Sequence, residues 1–120
     1  MPRMAVITLY GIPNCDTVKK TRQWFEKRGI VYSFHDYKKS GIDKEMLELW
    51  VLEKGWEPIL NKRGTTFRQL PDVLKEDIDG DKAIMLMVAH PSMIKRPIVD
   101  IDGEVIIGYD STAYETLLGL

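Results

Sequence analysis

The chain has 120 residues, 44% hydrophobic and 29% charged, with a formal net charge of -1. These values fit one soluble domain with a sizeable core and give no global attraction to nucleic acid or a membrane surface. The single cysteine, Cys15, cannot form an internal disulfide, which excludes a stapled secreted scaffold.

Met1-Pro2-Arg3-Met4 lacks the apolar region and cleavage site of a signal peptide, so a cytoplasmic location is expected. Residues 1–3 are left open as native sequence or a start-site extension. No apolar run approaches the ~20 residues of a membrane span. Ala5 to Tyr10 is apolar and β-prone and reads as a buried strand. Gly11-Ile12-Pro13-Asn14 breaks it, and Thr17 to Lys27 then reads as a helix. Its inner face is Val18, Thr21, Trp24 and Phe25, and Gly29 is its stop. Ile30 to Tyr37 reads as a second strand. Strand, helix and strand in this span imply a parallel pair with a right-handed crossover.

Lys38 to Gly41 is a polar break, and Asp43 caps a helix to about Lys54 with Leu47, Trp50 and Val51 inward. Trp56 to Gly64 is irregular, and short helices are expected over Thr65–Leu70 and Val73–Ile78. Asp81 is expected to cap a buried, nearly all-apolar helix over Lys82–Ala89 that Pro91 ends. Ser92 to Lys95 reads as a loop. Two β-rich runs then flank Asp102-Gly103, a hairpin signal. Asp110 or Ser111 caps a last helix to about Leu118. The order β-α-β, helical block, β-β, α matches an α/β, thioredoxin-like fold with a small mixed sheet. The helical insertion, about residues 41–92, lies between the second and third strands of a single domain over residues 1–120. Pro97 sits at the entry to the third strand, where a proline is allowed; its cis or trans state is open.

Cys15 is the candidate nucleophile. Alone, a lone cysteine is usually a small buried apolar residue. Its place between a strand end and a helix start argues otherwise. Unpaired N–H groups and the positive end of the helix dipole favour a thiolate there. Val18 stands where a dithiol site has its second cysteine, so a covalent sulfur intermediate needs an outside thiol, most simply glutathione. Asn14 and Thr17 flank Cys15 as candidate substrate-binding donors, with turn and capping duty as the equal alternative. Arg63 and Arg96 lie in loops and are candidate oxyanion holders, because a guanidinium binds carboxylates and oxyanions bidentately. Lys62, Arg68 and Lys95 read as solvated. His35 and His90 are weak candidates for a base, and without further ligands no metal site is expected. Trp24, Trp50 and Trp56 read as core.

YGIPNCDTVKK, NKRGTTFRQL and HPSMIKRPIV, in that order, resemble the ArsC/Spx superfamily of thioredoxin-fold proteins, and most closely its YffB-like subfamily. The resemblance implies a nucleophilic cysteine at Cys15, arginines at Arg63 and Arg96, and a cis-proline at Pro97. It implies a monothiol oxidoreductase with glutathione as co-substrate, glutaredoxin as a further candidate partner, and no tightly bound cofactor. Substrates would be a small oxyanion or a disulfide, and a monomer is expected. Two rival activities are implied: a glutaredoxin-linked arsenate reductase, and an Spx-like regulator that binds RNA polymerase. The arsenate reductases carry a third arginine where this chain has Gly108, and a histidine where it has Gly11. Regulators of the Spx type generally carry a CxxC pair, absent here.

Overall fold

The computed structural model describes residues 5–120; residues 1–3, left open above, lie outside the described residues. The chain divides into two compact units, one running to Asp36 and resuming over Arg96–Leu120, the other Tyr37–Lys95.

The first unit holds β1 (Ile7–Gly11), α1 (Asp16–Lys27), β2 (Ser33–Asp36), β3 (Ile98–Ile101), β4 (Glu104–Ile107) and α7 (Ser111–Leu118). They build a four-stranded sheet of order β2-β1-β3-β4. β1 pairs parallel to β2 and antiparallel to β3, and β3 pairs antiparallel to β4. This is the mixed, thioredoxin-like sheet expected, with the helical insertion between its second and third strands. Strand β2 is shorter than Ile30–Tyr37. Its first pair is Thr8↔Ser33, and Val31 before it is exposed. Tyr37 already belongs to a helical turn.

Ile7 and Leu9 of β1 and Val99 and Ile101 of β3 meet Val18, Trp24 and Phe25 of α1 and Tyr114 of α7 in one core cluster. Burying each large side chain is worth about 1.5–3 kcal/mol. Thr21 is the polar member of that helix face, and its hydroxyl donates to the Thr17 carbonyl at 2.8 Å. Rings of Trp24, Phe25 and Tyr109 pack around Tyr114 with centroids 5.3–6.0 Å away. The hairpin turn has positive φ at both Asp102 (52°) and Gly103 (90°), the type I′ signature that the Asp-Gly pair signals. Asp110 caps α7 by accepting from the Ala113 N–H at 3.1 Å.

Tyr114 is fully buried, and its hydroxyl donates to the Gly108 carbonyl at 2.5 Å. Burial pushes its ionisation up to about 12 from the ordinary 10.0. The unfolded chain therefore loses the phenol proton first as pH rises. Stability from this group is full below pH 10 and is lost as pH rises towards 12, by roughly 2–3 kcal/mol. Tyr114→Phe is expected to cost about 1–2 kcal/mol at neutral pH and to flatten that alkaline decline. Urea unfolding at several pH values checks both.

The second unit holds α2 (Tyr37–Ser40), α3 (Lys44–Lys54), α4 (Thr65–Arg68), α5 (Asp72–Lys75), α6 (Gly80–Ala89) and a 3₁₀ turn (Pro91–Met93). Its core includes Leu47, Trp50, Ile59, Leu60, Phe67, Met87 and Ile94. The cap of α6 corrects the reading from sequence. Asp79, not Asp81, accepts the Lys82 N–H at 2.9 Å. The helix starts at Gly80, so Asp81 already lies in its first turn. Nor is α6 buried all round: Ala83, Ile84, Leu86 and Met87 are inside, while Met85 and Val88 are exposed.

Candidate active site

Sheet register decides what meets at the end of β1. Gly11 pairs with Asp36, Tyr10 with Ile98, and Ile98 with Ile107. The loop to Cys15 therefore shares one end of the sheet with Arg96-Pro97, which enter β3, and with Gly108, which leaves β4.

Cys15 is the N-cap of α1, with extended backbone at φ -107° and ψ 126°. Its carbonyl accepts the first intrahelical bond, from the Lys19 N–H at 2.9 Å. The N–H groups of Asp16, Thr17 and Val18 precede that bond and point to the end where negative charge is favoured. The sulfur makes no capping hydrogen bond and is half-buried against the core cluster. Asn14 and Thr17 on either side are exposed.

Gly11 sets how closely β1 approaches this helix. A Cβ at Gly11 would lie 2.7 Å from Cγ2 of Val18, which is fully buried. That contact leaves no space for a side chain, including the histidine of the arsenate reductase pattern. Gly11→Ala is expected to push against the first turn of α1 and to cost about 1–3 kcal/mol. Val18→Ala opens the same space. The double variant should therefore lose less than the two singles added, which denaturant titration measures.

Arg96 is half-buried and Pro97 buried, and the bond joining them is cis, as the family resemblance implies. The Pro97 carbonyl accepts the Gly108 N–H at 2.7 Å, and Gly108 accepts from Tyr114. The segment carrying Arg96 is thus tied through Gly108 to the core. Gly108 itself has φ +85° with open space where a Cβ would stand. Backbone strain rather than crowding opposes a side chain there.

Arg63 belongs to the second unit and is exposed. Its N–H donates to Asn61 Oδ1 at 3.1 Å. It lines a cavity of about 390 Å³ with Glu57, Leu60, Asn61, Lys62 and Lys95. Lys62 and Lys95, read from sequence as solvated, thus share a concave surface with Arg63. Nothing local in the sequence signals this, because the surface is closed by a distant backbone bridge, Leu60↔Ile94.

His35 lies in β2 with its ring 5.0 Å from that of Tyr10. His90 is the C-cap of α6, where its N–H donates to the Leu86 carbonyl at 2.8 Å. Trp24 and Trp50 are buried as expected; Trp56 is half-buried beneath Lys62, whose Nζ lies 5.2 Å from its ring. Among the described residues no helix is long and apolar enough to cross a membrane.

The chain resembles known proteins over nearly its whole length. The solved structure of a YFFB protein is 49% identical, with TM-score 0.91 over 94% of this chain and 99% of that one. An arsenate reductase (ArsC) related protein from Brucella melitensis is 46% identical, with TM-score 0.75 over 100% of both chains. The global transcriptional regulator Spx of Streptococcus mutans is 27% identical over 115 residues, 94% of this chain and 83% of that protein. The fold is thus of the arsenate reductase-like and Spx-like kind. A family model matches residues 10–117, from the end of β1 to the last turn of α7, and the chain belongs to the ArsC family.

Proposed function

We propose that this protein is a glutathione-dependent thiol–disulfide reductase with Cys15 as its single nucleophile. The observation that supports this is the setting of the chain's one cysteine: a half-buried N-cap at the sheet end that also carries Arg96 and Pro97. Cys15 thiolate attacks the glutathione sulfur of a mixed disulfide. A Cys15–glutathione disulfide forms, and the other thiolate leaves. A second glutathione thiolate then attacks that sulfur, releasing oxidised glutathione and restoring the Cys15 thiolate. Two electrons pass from glutathione to the substrate disulfide. Arg96 holds negative charge at the reacting end. Arg63 is assigned the same role by its resemblance to the family arginine. Asn14 and Thr17 donate hydrogen bonds to the bound group, and Pro97 lines the binding surface. The reducing cytoplasm supplies the co-substrate, with glutaredoxin as the alternative donor.

The test is steady-state reduction of a glutathionylated peptide by purified protein, beside small disulfides and arsenate. Glutathione-dependent turnover with a Cys15 adduct in the mass spectrum is the expected result. Arg96→Lys should be nearly as impaired as Arg96→Ala, because an ammonium cannot reproduce the bidentate fork. No turnover with any disulfide would remove the proposal.

A second reading is an Spx-like regulator that docks on RNA polymerase. It is favoured by apolar side chains left exposed in the second unit, Leu49 and Leu52 on α3 and Met85 on α6. Co-purification with polymerase in the absence of disulfide reduction would select it.

A further inference from the structure

Continued one residue past the Ile98↔Ile107 pair, the β3–β4 register sets Pro97 opposite Gly108. An antiparallel pair of the hydrogen-bonded kind exchanges two N–H···O bonds. Gly108 makes one of them, donating to the Pro97 carbonyl at 2.7 Å. The return bond cannot form, because proline has no N–H. The Gly108 carbonyl is thereby left without a ladder donor, at the sheet end shared by Cys15 and Arg96. The Tyr114 hydroxyl fills the gap, donating to that carbonyl at 2.5 Å. It reaches there because the chain turns from β4 directly into α7. Asp110 caps that helix, and Tyr114 sits one turn in, its N–H on the Asp110 carbonyl at 3.1 Å. Trp24, Phe25 and Tyr109 pack around its ring, and the residue is fully buried, so water does not compete at the hydroxyl. Packing alone asks only for a phenyl ring. A buried hydroxyl needs a partner, and this one takes the carbonyl that Pro97 leaves open.

We propose that Tyr114 is a positioning residue for Arg96: its hydroxyl completes the last rung of the β3–β4 ladder in place of the N–H that Pro97 lacks. The rung fixes the main chain one residue from Arg96, which is half-buried. With the rung held on one side only, the start of β3 frays and the guanidinium swings away from the reacting end. A displacement of about 1 Å there costs up to about 10²-fold in rate. Tyr114 touches no reacting atom; it acts through Gly108 and Pro97. The inference rests on the role proposed for Arg96 in the reductase reading and names what holds that residue in place.

The experiment sets Tyr114→Phe, which keeps the ring, beside Ile101→Val, a core change at the far end of β3. Amide hydrogen exchange reads the rung. The Gly108 N–H should exchange at least about tenfold faster in Tyr114→Phe than in Ile101→Val. Nuclear magnetic relaxation of the Arg96 Nε–H reads the guanidinium, which should gain mobility in Tyr114→Phe alone. Reduction of a glutathionylated peptide reads the consequence. Tyr114→Phe should lower kcat/KM about tenfold, and Ile101→Val less than about twofold. Arg96→Ala should cost about 30-fold in wild type but at most about fivefold in Tyr114→Phe, because a displaced guanidinium has little left to lose. Gly108 exchange no faster than in Ile101→Val overturns the proposal. Faster exchange with an unchanged Arg96 signal and an undiminished cost of Arg96→Ala overturns it equally. A wild type without turnover sinks the reductase reading alone; Gly108 exchange and the Arg96 signal still decide whether Tyr114 positions Arg96.

Discussion

Cys15→Ser is expected to lower glutathione-dependent turnover by at least about 10³-fold while leaving the fold intact. The chain has no second thiol to substitute, so the loss should reach the uncatalysed exchange rate. A serine hydroxyl stays protonated at neutral pH and forms no disulfide. The position also makes this variant a clean test. Cys15 is an N-cap without a capping hydrogen bond, and serine is among the preferred N-cap residues. Stability should be unchanged or higher by up to about 1 kcal/mol. A dead variant that unfolds at the wild-type denaturant midpoint or above it separates chemistry from folding. Mass spectrometry adds a second readout: the glutathione adduct of wild type should be absent from Cys15→Ser. Retained turnover in a folded Cys15→Ser protein would show that Cys15 is not the nucleophile.

Elements with a strong local pattern were legible in the sequence. The apolar run of β1, the helical face of α1 and the Asp102-Gly103 turn each declare themselves within a few residues, and they determine the sheet. Features decided by distant partners were not. Strand β2 stops short of its β-prone start because its register with β1 begins at Ser33. Two aspartates compete to cap α6, and only the backbone geometry shows that Asp79 wins. The candidate site divides in the same way. Cys15 and Arg96-Pro97 were legible because β1 and β3 are neighbours, so their ends converge. The grouping of Lys62 and Lys95 with Arg63 was not, because it depends on the long-range bridge Leu60↔Ile94. The tight fit of Gly11 against Val18 was invisible as well, since Gly11 reads in sequence only as a turn residue.

Arsenate should turn over at least about 10²-fold more slowly than a glutathione mixed disulfide, even with glutathione and glutaredoxin supplied. Arsenate is a multiply charged oxyanion that must be desolvated next to a thiolate, itself negative. Like charges at close range are costly in a low-dielectric site, and positive groups must offset the repulsion. A disulfide is neutral at sulfur and needs less compensation. The arsenate reductase pattern supplies three arginines. Here Arg96 stands at the Cys15 end of the sheet and Arg63 matches the second by resemblance, but the third position is Gly108. Gly108 leaves β4 at that same end, bonded to Pro97, and a Cβ there would meet open space. Gly108→Arg is therefore sterically admissible, though φ +85° is a conformation that side chains disfavour. The strain should cost about 1–3 kcal/mol, so arsenate turnover must be compared at matched folded fraction. A rise in arsenate turnover in Gly108→Arg, with disulfide turnover unchanged or lower, is the outcome the charge argument requires. Efficient wild-type arsenate turnover abolished by Cys15→Ser would show that two arginines suffice, and Lys19, Lys62 and Lys95 would then be the cations to remove next.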